Sequence, residues 1–169
     1  MLVASSHKIY NLSAYTYIIM IIRRFKKEYA KEVCELVSNV FNEFVASELT
    51  KKAIKKWLEE QIPEKQIERS KTRDIFVAVI NNKIVGMIEG KKNNKVTRLF
   101  VDKGHHGKGI ASSLMNKIEK LYEKRGATQI KVWSSLYAQK FYEKMGYRKT
   151  TRLIKKEGMI YQPMKKVLR

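Results

Sequence analysis

Two short segments of this chain combine residue types that can do chemistry. The first is His105-His106-Gly107-Lys108-Gly109-Ile110-Ala111, set between a β-rich run and the apolar period of a helix. Glycines at a strand-to-helix junction let main-chain N–H groups approach a ligand, and the unpaired amides and dipole of a helix start favour a phosphate. Two known phosphate loops fail on spacing. A Walker A loop needs Ser or Thr after its Gly-Lys, but Gly109 follows Lys108, and Asp102 and Lys103 stand where its first glycine belongs. The dinucleotide pattern Gly-x-Gly-x-x-Gly matches Gly107 and Gly109, then meets Ser112, and no acidic residue ends the next strand, Lys131-Val132-Trp133. The second segment is Ala138-Gln139-Lys140-Phe141-Tyr142-Glu143-Lys144-Met145-Gly146-Tyr147. Standing alone, its Phe141-Tyr142 pair on a helix reads as core packing.

No activated nucleophile accompanies the loop. Ser112 and Ser113 have no Asp–His pair beside them. The single cysteine, Cys34, falls in the rhythm Ala30, Val33, Cys34, Val37, Phe41, Phe44, whose steps of three and four mark the buried face of a helix. One thiol builds neither a disulfide framework nor a zinc ribbon, so no metal is expected and a reducing, cytoplasmic setting is.

The 169 residues amount to about one domain. With 44% apolar residues, eight glycines and two prolines, the chain is neither collagen-like nor disordered. Thirty-six Lys+Arg against 16 Asp+Glu give a net charge of +20. Such a chain attracts polyanions, yet the basic residues are scattered without a block of five or six, and the charge reads as compositional bias. The aromatics follow core periods rather than interleaving with Lys and Arg, so no base-stacking platform is visible and nucleic acid is disfavoured as a partner. The run Tyr17 to Ile22 is too short for a bilayer, which needs about 20 apolar residues. Its basic residues also follow it instead of preceding it, unlike a secretory signal.

The elements that position the two segments follow from periodicity. A strand is expected from about Met20 to Arg24, a helix from Lys26 to Phe44, and a second amphipathic piece from Ala53 to Leu58, ending before Pro63. Residues 1–19 show no clean period and are read as an extension to a single domain over 20–169; the methionine opening the strand makes Met20 an alternative native start. Ile75–Ile80, Ile84–Ile88 and Val96–Val101, joined by Asn81-Asn82 and by the turn Gly90–Asn94, are linked too tightly for crossovers and form an antiparallel meander. A helix from Ile110 closes at Lys124-Arg125-Gly126, with a basic last turn and a glycine just beyond. The strand Thr128–Trp133 that follows can therefore lie parallel to Val96–Val101, with a right-handed crossover. A short helix at about Leu136–Lys144 and strands at about Arg148–Ile154 and Met159–Val167 complete the chain.

Val101-Asp102, the loop ending Gly109-Ile110-Ala111, and the Phe141-Tyr142-Glu143-Lys144-Met145-Gly146-Tyr147 run about 30 residues later together resemble the GNAT superfamily of acyl-CoA-dependent N-acetyltransferases. The hallmarks of that superfamily are Gln/Arg-x-x-Gly-x-Gly/Ala and Phe-Tyr-Glu-Lys-x-Gly-Phe/Tyr. The resemblance is firm from Ile75 to Tyr147 and extends towards Met20 and Pro163-Met164-Lys165. It implies an α+β fold, three-layer α/β/α in other schemes. Its mixed, largely antiparallel central sheet has splayed central strands and flanking helices. Two departures stand out: His106 occupies the usual Gln/Arg position, and Ser135 the place where many members carry a cofactor-contacting Asn.

The resemblance also implies roles. Acetyl-CoA is the co-substrate, its pantetheine lying along Leu99, Phe100 and Val101 like an added strand. Its pyrophosphate would rest on His106, Gly107, Lys108, Gly109, Ile110, Ala111 and Ser112, with Ser135 near the arm. Tyr142 is the expected general acid for the departing thiolate: a phenol, pKa about 10, stays protonated where a thiol, about 8.5, ionises. A protonated amine cannot attack a thioester, so its proton needs an acceptor. Glu89, at the end of a central strand, is the first candidate, ahead of His105 and His106, and Glu43 could line the acceptor pocket. The expected reaction is direct acetyl transfer to a primary amine. A catalytically weak acyl-CoA sensor is the alternative. Polyamines, an amino acid, a protein amino terminus, a lysine or an aminoglycoside are all admissible acceptors. Family members are often dimers, which leaves a homodimer open.

Overall fold

The computed structural model describes residues 6–9, 18–156 and 158–168. In chain order the elements are β1 (Ser6–Ile9), β2 (Ile18–Arg24), α1 (Ala30–Phe44), α2 (Lys51–Leu58), α3 (Pro63–Thr72), β3 (Arg73–Ile80), β4 (Lys83–Lys91) and β5 (Lys95–Val101). There follow α4 (Ile110–Lys124), β6 (Gln129–Ser134), α5 (Gln139–Lys144), β7 (Arg148–Lys149), β8 (Ile154–Lys156) and β9 (Met159–Val167). Among the described residues one sheet runs β1-β2-β3-β4-β5-β6-β9-β7, with β8 also on β9. Among the described strands only β5 and β6 pair in parallel. This is the expected α+β arrangement. Most of the 1–19 extension lies outside the described residues; within it, Ser6–Ile9 pairs with Ile18–Ile21.

The central strands β3 and β4 are buried on both faces. Along β3, Ile75, Val77 and Val79 pack with Val33, Leu36 and Val37 of α1, while Phe76, Ala78 and Ile80 join the core under α4. Two buried faces explain why β3 reads as an unbroken apolar run rather than an alternation. At Asn81 and Asn82 both φ angles are positive, 48° and 61°, so the β3–β4 hairpin closes on the two-residue turn its asparagines favour. In α4, Ile110, Leu114, Ile118 and Tyr122 repeat every four residues and face the sheet fully buried.

Two expectations need correction. Pro63 does not merely end the preceding helix; it opens α3, standing in the first turn where its missing N–H costs nothing. The strand expected from Arg148 to Ile154 is two fragments, β7 and β8. The partner strand reaches Pro163 at that point, which has no N–H to return a ladder bond; Thr150 N–H instead donates to its carbonyl at 3.1 Å.

Candidate active site

β5 and β6 pair at only two registers, Lys95–Lys131 and Val96–Val132. Beyond Val96, β5 stays with β4, whereas β6 turns towards β9. The splayed strands leave a cleft of about 610 Å3. A bulge between Glu89 and Gly90 adjusts the β5 register: Val96 pairs with Gly90, and Arg98 rather than Thr97 pairs with Glu89. The residues on either side of a bulge face opposite ways from simple alternation, which puts Arg98 and Phe100 on the α1 side and Leu99 and Val101 on the α4 side.

The glycine loop forms one wall. Gly107 and Gly109 both have φ of 75°, a conformation that disfavours side chains. A Cβ on Gly107 would meet nothing within 4 Å, so the loop stands open to the cleft. Ser113 N–H is the first to close onto the helix, donating to Gly109 O at 3.0 Å. The N–H groups of Ile110, Ala111 and Ser112 precede that ladder and are the donors a phosphate can take. The arrangement therefore fits a nucleotide diphosphate through its main chain. His106 is engaged elsewhere: Nε2 lies 2.9 Å from Val101 O and the ring stacks on Phe44 at 5.2 Å, tying the loop to the end of β5. Lys108 folds back to donate to Gly104 O at 2.9 Å and does not line the cleft. The Ser112 hydroxyl donates to Gly109 O, and Ser135 Oγ accepts from Ala138 N–H in the turn before α5.

Tyr142 enters from α5. It is 6% exposed, lines the cleft, and packs edge-on against Phe141 and Tyr147. Nothing among the described residues hydrogen-bonds its hydroxyl, in contrast to Tyr122 and Tyr147, which donate to Lys91 O and Glu119. Burial pushes the phenol well above its ordinary pKa, so it is protonated throughout the neutral range. A buried, protonated and unpartnered hydroxyl on a cleft wall can give its proton to a ligand.

The remaining expected residues divide. Leu99, Phe100, Val101, His106, Gly107, Gly109, Ile110, Ala111, Ser112, Ser135 and Tyr142 all line the cleft. Glu89 does not. Its side chain is wholly buried and ion-paired to Arg73, to Arg69 Nε at 3.5 Å and to Arg98 Nη1 at 4.0 Å, while Thr97 Oγ1 donates to it at 2.7 Å. Thr97 and Arg98 do line the cleft. Glu43 is exposed, pairs with Lys103, and stands outside the cleft. His105 lines it, with Nδ1 2.7 Å from Asp102 Oδ2. Arg69, Arg73 and Arg98 escaped the sequence reading. Their only trace there is a glutamate that directly follows the buried run Ile84–Ile88.

A family model described as the acetyltransferase (GNAT) domain matches residues 44–168. The chain belongs to this family, and is an acyltransferase. No curated protein sequence matches it. Among solved structures it is similar to a GCN5-related N-acetyltransferase from Rhodopseudomonas palustris, with 21% identity and a TM-score of 0.78 over 87% of this chain and 94% of that one. It is also similar to the PaiA N-acetyltransferase from Thermoplasma acidophilum in complex with coenzyme A, at 21% identity and TM-score 0.76 over 88% and 98% of the two chains. An aminoglycoside 6'-N-acetyltransferase complexed with coenzyme A aligns at 17% identity and TM-score 0.64, over 88% and 97%. At such identities the likeness is one of fold. Among the described residues no helix is long and apolar enough to cross a membrane.

Proposed function

We propose that the protein moves an acetyl group from acetyl-CoA directly to a primary amine, without an acyl-enzyme. The observation that carries this reading is that one cleft joins the open helix-start amides of Ile110–Ser112 to the unpartnered hydroxyl of Tyr142. The free edge of β5 beyond Val96 supports an extended, amide-bearing arm running between them.

In this scheme the neutral amine attacks the thioester carbonyl carbon, the C–S bond breaks, and the thiolate takes the Tyr142 proton. The apolar wall that raises the phenol also raises the thiol forming beside it, which keeps that transfer feasible. The nitrogen's surplus proton passes to cleft water and back to the phenolate, so the cycle closes. Glu89 stays out of this proton path: its carboxylate is shared by Arg69, Arg73 and Arg98, and the Thr97 hydroxyl of the cleft wall donates to it.

Calorimetric titration with acetyl-CoA, followed by thiol release with a panel of amines, tests the proposal. Binding with turnover supports it. Binding with no turnover on any amine supports the sensor reading, and failure to bind removes both.

A further inference from the structure

Building on the acetyl-transfer reading, we propose that the acceptor amine carries a carboxylate on an apolar or aromatic body, and that the Arg98 guanidinium holds that carboxylate. The substrate class would then be small hydrophobic amino acids rather than polyamines or aminoglycosides.

Charge is the first support. Among the described residues the cleft lining contains Arg98 but no aspartate or glutamate. A polycationic acceptor would bring its second ammonium against a guanidinium with no carboxylate on the wall to receive it. Behind the wall the imbalance continues. Arg69, Arg73 and Arg98 share the single carboxylate of Glu89; Arg69 also reaches Glu60 at 4.0 Å, but Glu60 has a nearer partner in Lys65 at 2.5 Å. Four cations thus meet two carboxylates.

Arg98 is the least committed of the three. It stands 4.0 Å from Glu89 Oε2 and 3.5 Å from Gln66 Oε1, both at the limit of contact, while Arg73 holds Glu89 most closely. A guanidinium has five donors in a planar fork suited to a carboxylate, and its side chain is only 14% exposed, so water serves it poorly. Burial lowers its pKa to about 10, which still leaves it cationic at neutral pH. The same cluster contains the buried side-chain atoms without a hydrogen-bond partner among the described residues, Gln66 Nε2, Arg69 Nε and Glu89 Oε2. None of these three residues lines the cleft; Arg98 is the member of the cluster that does, and an incoming carboxylate supplies it with acceptors that Glu89 and Gln66 offer only at the limit of contact.

The neighbouring wall specifies the rest of the molecule. Phe41 and Trp57 stack at 3.6 Å, Phe100 lies 6.0 Å from Trp57, and Val40 and Phe44 extend the apolar surface. An apolar side chain buried there gains about 25 cal/mol per Å2. A polyamine or aminoglycoside spaces its polar groups too closely to bury a comparable apolar body there.

The test compares matched acceptors on the unmodified protein by acetyl-CoA-dependent thiol release: L-phenylalanine, L-phenylalaninamide and 2-phenylethylamine; L-leucine, L-leucinamide and isoamylamine; and spermidine. The acids should exceed their amides and decarboxylated amines at least tenfold in kcat/KM, with spermidine poorest. In Arg98→Gln the KM for the acids should rise roughly 10- to 100-fold, the range of one charge-assisted contact, with coenzyme A affinity kept and the preference for acids gone; Arg98→Lys should recover part of it. Turnover of amides, amines or spermidine at or above that of the acids overturns the assignment and leaves acetyl transfer standing. No turnover with any amine overturns both. If Arg98→Gln does not fold, the matched series on the unmodified protein decides alone.

Discussion

Replacing Tyr142 with phenylalanine isolates one proton. The ring stays, so its edge contacts with Phe141 and Tyr147 are kept, and since the hydroxyl has no partner among the described residues, its loss orphans no donor or acceptor. Stability should therefore change by less than about 0.5 kcal/mol, the scale of substitutions that break no specific feature. Coenzyme A affinity should be unchanged, because the expected grip comes from main-chain amides of the loop. Turnover is different. General acid catalysis contributes about 10²- to 10⁴-fold, or roughly 3 to 5 kcal/mol of barrier. Because burial raises this phenol, the acid limb it governs lies above the ordinary value of about 10, and the unmodified enzyme should hold its rate to the alkaline end of the assay while the amine deprotonates. The assay is single-turnover acetyl transfer across pH, with calorimetry on the same samples. An undiminished single-turnover rate in Tyr142→Phe would refute the reasoning, as would a loss of coenzyme A binding large enough to explain the slower rate.

Three further substitutions probe the frame. Glu89→Gln removes the wholly buried carboxylate shared by three guanidinium groups; breaking a buried pair costs about 3–5 kcal/mol, and the melting temperature should fall by about 6–20 °C. A melting point within 2 °C of the parent would contradict the electrostatic picture. Gly109→Ala forces a side chain into a φ of 75° at the start of α4, at a cost of about 1–2 kcal/mol, and should weaken coenzyme A binding measured by calorimetry; unaltered affinity would speak against the loop as the phosphate site. Gly90→Ala would place its Cβ 2.1 Å from the Tyr122 hydroxyl and 2.5 Å from Ile118 Cδ1, so chemical denaturation should reveal a loss of about 1–3 kcal/mol, with coenzyme A affinity intact in the fraction that folds.

Local signals in the sequence carried the fold far. The unbroken run Ile75–Ile80, the asparagine turn, the four-residue rhythm of α4 and the glycine after Arg125 each report a backbone state set by nearby residues. What stayed hidden depends on distance along the chain. Helix α3 has a single buried residue, Gln66, so it lacks the apolar stripe that betrays a helix, and Pro63 is ambiguous between a stop and a start. The arginine cluster joins Arg69 on α3, Arg73 on β3 and Arg98 on β5 around a glutamate on β4, a meeting that only the sheet register and its bulge create. Glu89 drew notice in the sequence as a strand-end carboxylate; its neighbours are what turn it from an open base into a shared counter-ion. The glycine loop was legible because backbone states of positive φ, here at Gly107 and Gly109, leave their mark in glycine spacing. The side-chain substitutes His106 and Ser135 were legible only as departures, and both prove to be bonded within their own turns and strand ends.

A crystal structure with coenzyme A bound tests the central claim most directly. The account predicts diphosphate oxygens within hydrogen-bond distance of the amides from Gly107 to Ser112, pantetheine along the open edge of β5, and sulfur beside the Tyr142 hydroxyl. Nucleotide bound elsewhere, or sulfur on the far side of the sheet from that phenol, would contradict it.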